Sequence, residues 1–267
     1  LGAAPLAFQP GPADRDAVVH TLNRLGYGPR PGDVDRVAAM GLDAYIEQQL
    51  HPERIADAAV QQRLAAYPTI TLTTAELWKD YFGPAETLRR AEQREAARDP
   101  QMTATPPAVP QPQSQSPEQR AARQKEQQVL QDLMQARMVR AVLSERQLEE
   151  VLVDFWFNHF NVFSGKGRVR QYLTEYEHQA IRPHVLGNFR DMLGAVAESP
   201  AMLFYLDNFQ SVDPKAAQRQ ADALEAQRQR PLVRARQRQL TETQREQQEQ
   251  RLTQLRNRGL NENYARE

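Results

Sequence analysis

The sequence predicts an all-α protein: an irregular multi-helix bundle around a central buried helix at about 144–160, with two low-complexity Gln/Arg-rich insertions. Three observations lead there. Alternating β-branched runs are nearly absent, while the good helix formers Ala, Leu, Gln, Arg and Glu dominate. Helix-start signatures recur, a Ser or Thr followed three residues later by Glu or Gln. Apolar residues return at three- and four-residue spacing in one segment after another.

Composition narrows the function classes. Lys plus Arg and Asp plus Glu stand at 34 each, so no global field draws the chain to nucleic acid or membrane. Cysteine is absent, which excludes disulfides, thiolate metal sites and a cysteine nucleophile. No run of roughly eighteen apolar residues exists to cross a bilayer. The opening run LGAAPLAFQPGP suits the region at or just after an export signal, so the expected location is periplasmic or secreted.

The elements follow in order. Residues 1–12 are an N-terminal extension. A helix from about Ala13 to Leu25 ends at the breaker Gly26-Tyr27-Gly28-Pro29. Pro31–Met40 and Leu42–Leu50 read as two short helices parted by Gly41. Thr73-Thr-Ala-Glu76 is a capping box opening a helix that is interrupted near Gly83-Pro84 and runs on, charged, to about Arg98. The stretch 99–117, rich in Pro, Gln and Ser, reads as a linker, and with its charged flanks 89–128 forms the first insertion. Ser116-Pro117-Glu-Gln119 restarts a helix, amphipathic through Val129, Leu130, Leu133, Met134, Met138 and Val142.

Next comes the most informative segment, Asp154 to Phe163, DFWFNHFNVF. Ser144-Glu-Arg-Gln147 reads as the capping box of its helix. Leu148, Val151, Leu152, Phe155, Trp156 and Phe160 form one apolar stripe, and His159 falls on it. Gln147, Glu150, Asp154 and Asn158 line a separate polar stripe. Gln171–Arg182 is helical up to Pro183, and Val185, Leu186, Phe189, Met192, Leu193 and Val196 make another apolar stripe. Ser199-Pro200 opens a short apolar helix through Leu206, expected to be deeply buried. Residues 214–258 are a Gln/Arg-rich insertion opened by Asp213-Pro214, helical by propensity, broken at Pro231 and largely solvated. The remaining divisions are 13–88, the helical core 129–213, and 259–267, the start of a further helical segment.

Five blocks, taken together, resemble a known bacterial family. They are HTLNRLGYGPRPGDVDRVAAMGLDAYIEQQL (20–50), VLVDFWFNHFNVF (151–163), IRPHVLGNFRDML (181–193), SPAMLFYLDNFQS (199–211) and GLNENYARE (259–267). The family is the one catalogued as domain of unknown function 1800. The resemblance implies a helical protein, often exported, with no general activity to transfer. It also implies a neighbouring exported partner of sulfatase-like character. The family pattern continues past Glu267 into a helix with further acidic residues and a histidine, whereas the long Gln/Arg tracts are not part of it.

The candidate residues are weighed against plainer roles. His159, a neutral imidazole on an apolar face, can ligate a metal or move a proton, or can be a core histidine bonded to a carbonyl. Glu175-x-x-His178 has the spacing of a di-iron half-site, but no second copy exists, so these residues with Glu177 read as a solvated face. Arg182, His184 and Arg190, with Asn188 and Asp191, gather at a helix start suited to an anion, or simply cap it. Asp207 follows a buried run. Glu262 and Glu267, on the first turns of the last helix, are expected to approach His159 and with it to hold a divalent metal. No phosphate-binding loop, dinucleotide fingerprint, H-E-x-x-H or G-x-S-x-G occurs. The Arg-rich tract lacks interleaved aromatics, so nucleic acid is not an expected partner. The leading reading is therefore a binding or assembly protein of the bacterial envelope, its Gln/Arg arms meeting an exported partner. The alternative is a metal-assisted hydrolase or oxidoreductase built on His159 and carboxylates at and beyond Glu267.

Overall fold

The computed structural model describes residues 14–96, 116–229, 241–256 and 259–266. The fold is all-α, with no strand among the described residues. The chain divides into two units, Leu1–Ser199 and Pro200–Glu267. The N-terminal extension, most of the 99–117 stretch, Pro231 and Glu267 lie outside the described residues.

In the first unit, α1 (Arg15–Leu25), α2 (Asp33–Met40) and α3 (Leu42–Leu50) enclose one core cluster of Val18, Leu22, Val37 and Tyr45. Asp14 caps α1, and Gly41 separates α2 from α3 at φ 90°, a left-handed value that disfavours any residue with a Cβ. A second cluster joins α4 (Ala58–Leu64) to Ile70 and to Ala136 of α7 (Pro117–Leu143). A third joins Leu77 and Phe82 to Val129 of the same helix. The longest of the described helices, α7, thus contributes to both the second and the third of these clusters. The capping box at Ser116, with Pro117 in the first turn, forms as the sequence predicts, and so does the one at Thr73.

Face selection on α7 differs from expectation. Val129, Leu133, Ala136 and Arg140 point inward, whereas Met134, Met138 and Val142 are exposed. Steps of four and three keep the first set on one side. Met134 lies five residues from Val129, about 140° round a helix of 3.6 residues per turn. The sequence is apolar on both sides, and packing chose the side that also buries Asp132 and Arg140.

Among the described residues two helical segments contain π-turns, each closing on the residue before a proline. After α5 (Thr74–Leu77), Gly83 N–H donates to Trp78 O, five residues back, and α6 (Gly83–Ala96) follows with Pro84. After α9 (Leu173–Glu175), the turn Tyr176–Ile181 places Arg182 N–H on Glu177 O, and Pro183 follows. A proline lacks its N–H and its ring meets the carbonyl four residues back. The wider π-turn moves that carbonyl aside, so the expected interruption near Gly83 is a bulge rather than a break.

The turn between α7 and α8 (Gln147–His159) is gripped by side chains from α3 and from the loops before α2 and α4. Arg30 reaches Glu145 Oε1 at 2.7 Å and the carbonyl of Leu143 at 3.2 Å. Asp57 accepts from Ser144 Oγ at 2.8 Å and from Glu145 N at 3.1 Å. Gln49 donates to Glu145 O and accepts from Leu148 N. The capping box expected from Ser144 and Gln147 does not form. Gln147 instead donates to Ala141 O and Ser144 O and accepts from Tyr27 N. Helix α8 is therefore buried at its start, at Gln147, Leu148, Glu150 and Val153, and emerges towards its end. In α10 (Phe189–Glu198), capped by Asn188, Met192 and Val196 are buried while Phe189 and Leu193 are exposed.

In the second unit, α11 (Pro200–Tyr205) buries Ala201 and Met202, but Leu203 to Leu206 are only half-buried. The expectation of a deeply buried helix holds for its first turn alone. The Gln/Arg tract folds on itself: α12 (Pro214–Arg228), capped by Asp213, packs on α13 (Glu242–Arg256). Ala217, Ala221 and Leu252 are buried there, Arg228 donates to Gln248 at 3.0 Å, and Arg256 pairs with Glu225. The parallel tract in the first unit likewise closes locally, Arg89 of α6 meeting Glu126 of α7 at 2.8 Å. Each tract has its own helical partner, because small residues and Arg–Glu pairs let two polar helices approach closely.

Candidate functional site

Two arrangements in the first unit concentrate chemistry, and α8 contributes to both. The first is an aromatic face at its C-terminal end. Trp156 lies 5.0 Å from Phe155, 5.4 Å from His159, 5.6 Å from Phe160 and 5.7 Å from Phe189 of α10, centroid to centroid. The stripe predicted from spacing is covered only in part: Leu148 is buried, Val151, Leu152, Trp156 and Phe160 are half-buried, and Phe155 is 54% exposed, beside Phe189 at 54% and Phe163 at 64%. His159 is exposed as well, its ring stacked on Phe155 at 5.9 Å, and is not the buried imidazole that the sequence suggests. Helical spacing fixes which residues share a face, and only packing decides whether another element covers it.

The second arrangement is a buried charge network where α7, the start of α8 and the second π-turn meet. Arg182 forks onto Glu150 at 2.7 and 2.9 Å and reaches Glu177 at 3.2 Å. Glu177, with its side chain 1% exposed, also takes Arg140 at 3.4 Å and Arg137 at 3.6 Å. Arg137 in turn pairs with Asp154 and sits over the Phe157 ring at 4.3 Å. On an ordinary α-helix Glu177 and Arg182, five residues apart, would diverge by about 140°. The π-turn brings them together, the kind of local distortion that recurs at functional sites.

Burial and charge tune the groups around this network. Desolvation pulls the Arg182 guanidinium down, but the hydrogen bond and charge of Glu150, with the charges of Glu177 and Glu149, outweigh it and hold its proton more tightly than usual. Desolvation pushes the Glu149 carboxyl up, opposed by Arg182. Desolvation, followed by Arg140 and Arg182, pushes the His178 imidazole down and keeps it neutral. Because its folded pKa is depressed, His178 contributes stability above its unfolded pKa of about 6.5 and loses it as pH falls. Glu149 works the other way, losing its contribution as pH rises through its raised value. His178→Gln is therefore expected to be most costly near pH 8 relative to wild type, and the gap should narrow on acidification to pH 5. The slope is bounded by about 1.4 kcal/mol per pH unit, one proton's worth. Urea denaturation at several pH values measures it, and a gap independent of pH would refute it.

Arg182 is turned inward onto carboxylates and does not join a helix-start cluster. His184 Nδ1 lies 3.1 Å from Ala180 O, and Arg190 is exposed. The proposed anion site at the start of α10 is thus resolved into an Asn188 cap and separate side chains, Asn188 accepting from Arg190 N at 2.8 Å. Asp207, in the second unit, is half-buried at φ 61° and opens a 3-10 turn. Glu262 is on α14 (Glu262–Arg266) and pairs with Arg266 at 2.7 Å. The segment before it is strapped within its own unit, Asn261 N donating to Ser211 Oγ and Val212 N to Gly259 O. Among the described residues, no three His, Asp or Glu side chains are disposed to hold a metal ion.

Glu149, Glu150, Glu177, His178 and Arg140 form the network that sequence reading missed. Glu175, Glu177 and His178 are not a solvated face: Glu177 is fully buried, and Glu175 accepts from Thr74. Three signals could have found them. Arg140 continues the inward spacing of Val129, Leu133 and Ala136. Glu149-Glu150 open an apolar helix, and Pro183 follows a Glu-x-x-His segment whose register it must disturb.

No curated protein and no solved structure matches the chain. The family model described as "Protein of unknown function (DUF1800)" does match, over residues 20–267. That span takes in every block from which the resemblance was read, together with the aromatic face and the charge network, and the chain belongs to the DUF1800 family.

Proposed function

We propose that this chain is a binding and assembly protein of the bacterial envelope, acting outside the cytoplasm with an exported protein partner. One observation carries the reading: an aromatic cluster in which exposed Phe155, His159 and Phe189 pack round half-buried Trp156 and Phe160. Clustered exposed aromatics lower the stability of the isolated surface in water and are the residues that dominate protein interfaces. Rigid rings also lose little conformational entropy on docking. In the second unit, the helix pair α12 and α13 supplies a separate, polar surface rich in Gln and Arg.

The test uses the full chain and a purified exported sulfatase-like protein as the candidate partner, with binding followed by calorimetry. Phe155→Ser with Phe189→Ser is expected to weaken binding at least tenfold, about 1.4 kcal/mol, while leaving the helical signal unchanged. Deleting residues 215–256 is expected to abolish capture. Failure to bind, or binding indifferent to both changes, overturns the proposal. Secretion is tested separately by fractionating cells that express the complete gene.

A further inference from the structure

Beside the charge network lies a cleft of about 330 Å³. Its charged lining is Arg140, Arg146, Arg182 and His178 with the carboxylates of Asp57, Glu149 and Glu150, and its apolar lining includes Val60, Leu64 and Ile70. All of these belong to the first unit. The volume sits at the lower end of the range for small-molecule sites, and an apolar wall facing a few convergent polar groups is the usual make-up of such sites.

The polar groups are incompletely used. Arg182 spends its two Nη atoms on Glu150 and Glu177, but its Nε is buried with no partner. Arg146 spends Nε and Nη2 on Ile55 O at 3.1 and 2.8 Å, leaving Nη1 4.0 Å from Glu149. Arg140 is the least satisfied. It is only 7% exposed, yet its guanidinium makes one hydrogen bond, at 3.4 Å to Glu177. His178 Nε2 is buried without a partner on the same wall. A guanidinium does not shed its proton, so Arg140 remains a desolvated cation with four N–H donors to place. Burying such a group costs several kcal/mol unless an anion and hydrogen bonds compensate.

We infer that this cleft binds a small monocarboxylate with an apolar body. The carboxylate takes the free fork of Arg140 and Arg146 Nη1, His178 Nε2 completes its hydrogen bonds, and the apolar body rests on Val60, Leu64 and Ile70. Guanidinium geometry suits a planar carboxylate bidentately. Charge selects a monoanion over phosphate: Glu149, Glu150 and Glu177 surround the three arginines, and a doubly charged group would meet their repulsion. The inference is independent of the aromatic face, so either can fail alone.

Calorimetric titration of the full chain with benzoate, phenylacetate and isovalerate tests it, with the matching amides and inorganic phosphate as controls. At least one acid is expected to bind saturably at one site per chain, and its amide at least tenfold more weakly. Arg140→Gln is expected to lose at least tenfold in affinity. Because Arg140 is buried and that variant can unfold, Ala65→Trp provides a second route: Ala65 is exposed at the rim, and an indole there fills the cleft and should abolish binding. No saturable binding by any acid at millimolar concentration overturns the proposal. So does tighter binding of phosphate than of every acid, or binding unaffected by Ala65→Trp.

Discussion

Arg182→Met is expected to destabilise the first unit by about 3–5 kcal/mol, the usual cost of leaving buried charges without their partner. Among the described residues the arginine is the only fork onto Glu150, whose side chain is 8% exposed, and it shares Glu177, 1% exposed, with Arg137 and Arg140. Removing it leaves Glu150 desolvated and unpaired. The loss belongs to the missing partner rather than to an intrinsic strength of the pair, and that distinction is itself testable. Adding Glu150→Leu to Arg182→Met removes the orphaned carboxylate and should recover most of the stability, since a buried pair replaced by apolar groups is often neutral. Urea denaturation of the two variants decides the matter. A single variant costing less than about 1 kcal/mol, or a double variant no better than the single, would show that water already solvates this network.

Gln49→Leu is expected to cost about 2–3 kcal/mol, from two lost hydrogen bonds and two buried backbone groups left without partners. Gln49 is 2% exposed, donates to Glu145 O at 2.9 Å and accepts from Leu148 N at 3.1 Å. It acts as the N-terminal cap of α8 although it comes from α3, 99 residues earlier in the chain. Leucine matches its size closely, so the loss reports polar satisfaction and not a cavity. The same denaturation experiment measures it, and hydrogen exchange at Leu148 locates it. If exchange there is unchanged, the cap is not what holds the start of α8.

Local signals in the sequence were read well where one segment contains the whole cause. The Thr73 and Ser116 boxes, the Asp213-Pro214 helix start, and the α2–α3 break at Gly41 each depend on residues within four positions of one another. The Ser144–Gln147 box failed for an equally physical reason. Both side chains found better partners elsewhere, Ser144 in Asp57 and Gln147 in Tyr27, Ala141 and Ser144. A capping box contributes about 1 kcal/mol, and tertiary hydrogen bonds of similar strength compete with it. The candidate residues divide likewise. Arg182 was recognisable as a special arginine, but its partners Glu150 and Glu177 were not, because a π-turn changes which residues share a face.

By itself, then, the sequence determined the all-α class, most helix boundaries and family membership, because propensity, capping and apolar period act over a single turn or two. Which face of each helix is covered was decided only in three dimensions. Segments such as α7 and α8 are apolar on more than one side, and the preference goes to the side whose neighbours also satisfy Asp132 and Glu150. That choice turned Phe155 and His159 out to solvent and drew Glu177 and His178 inward. Burying a charge demands partners from several helices at once, and no single segment of the chain holds them all.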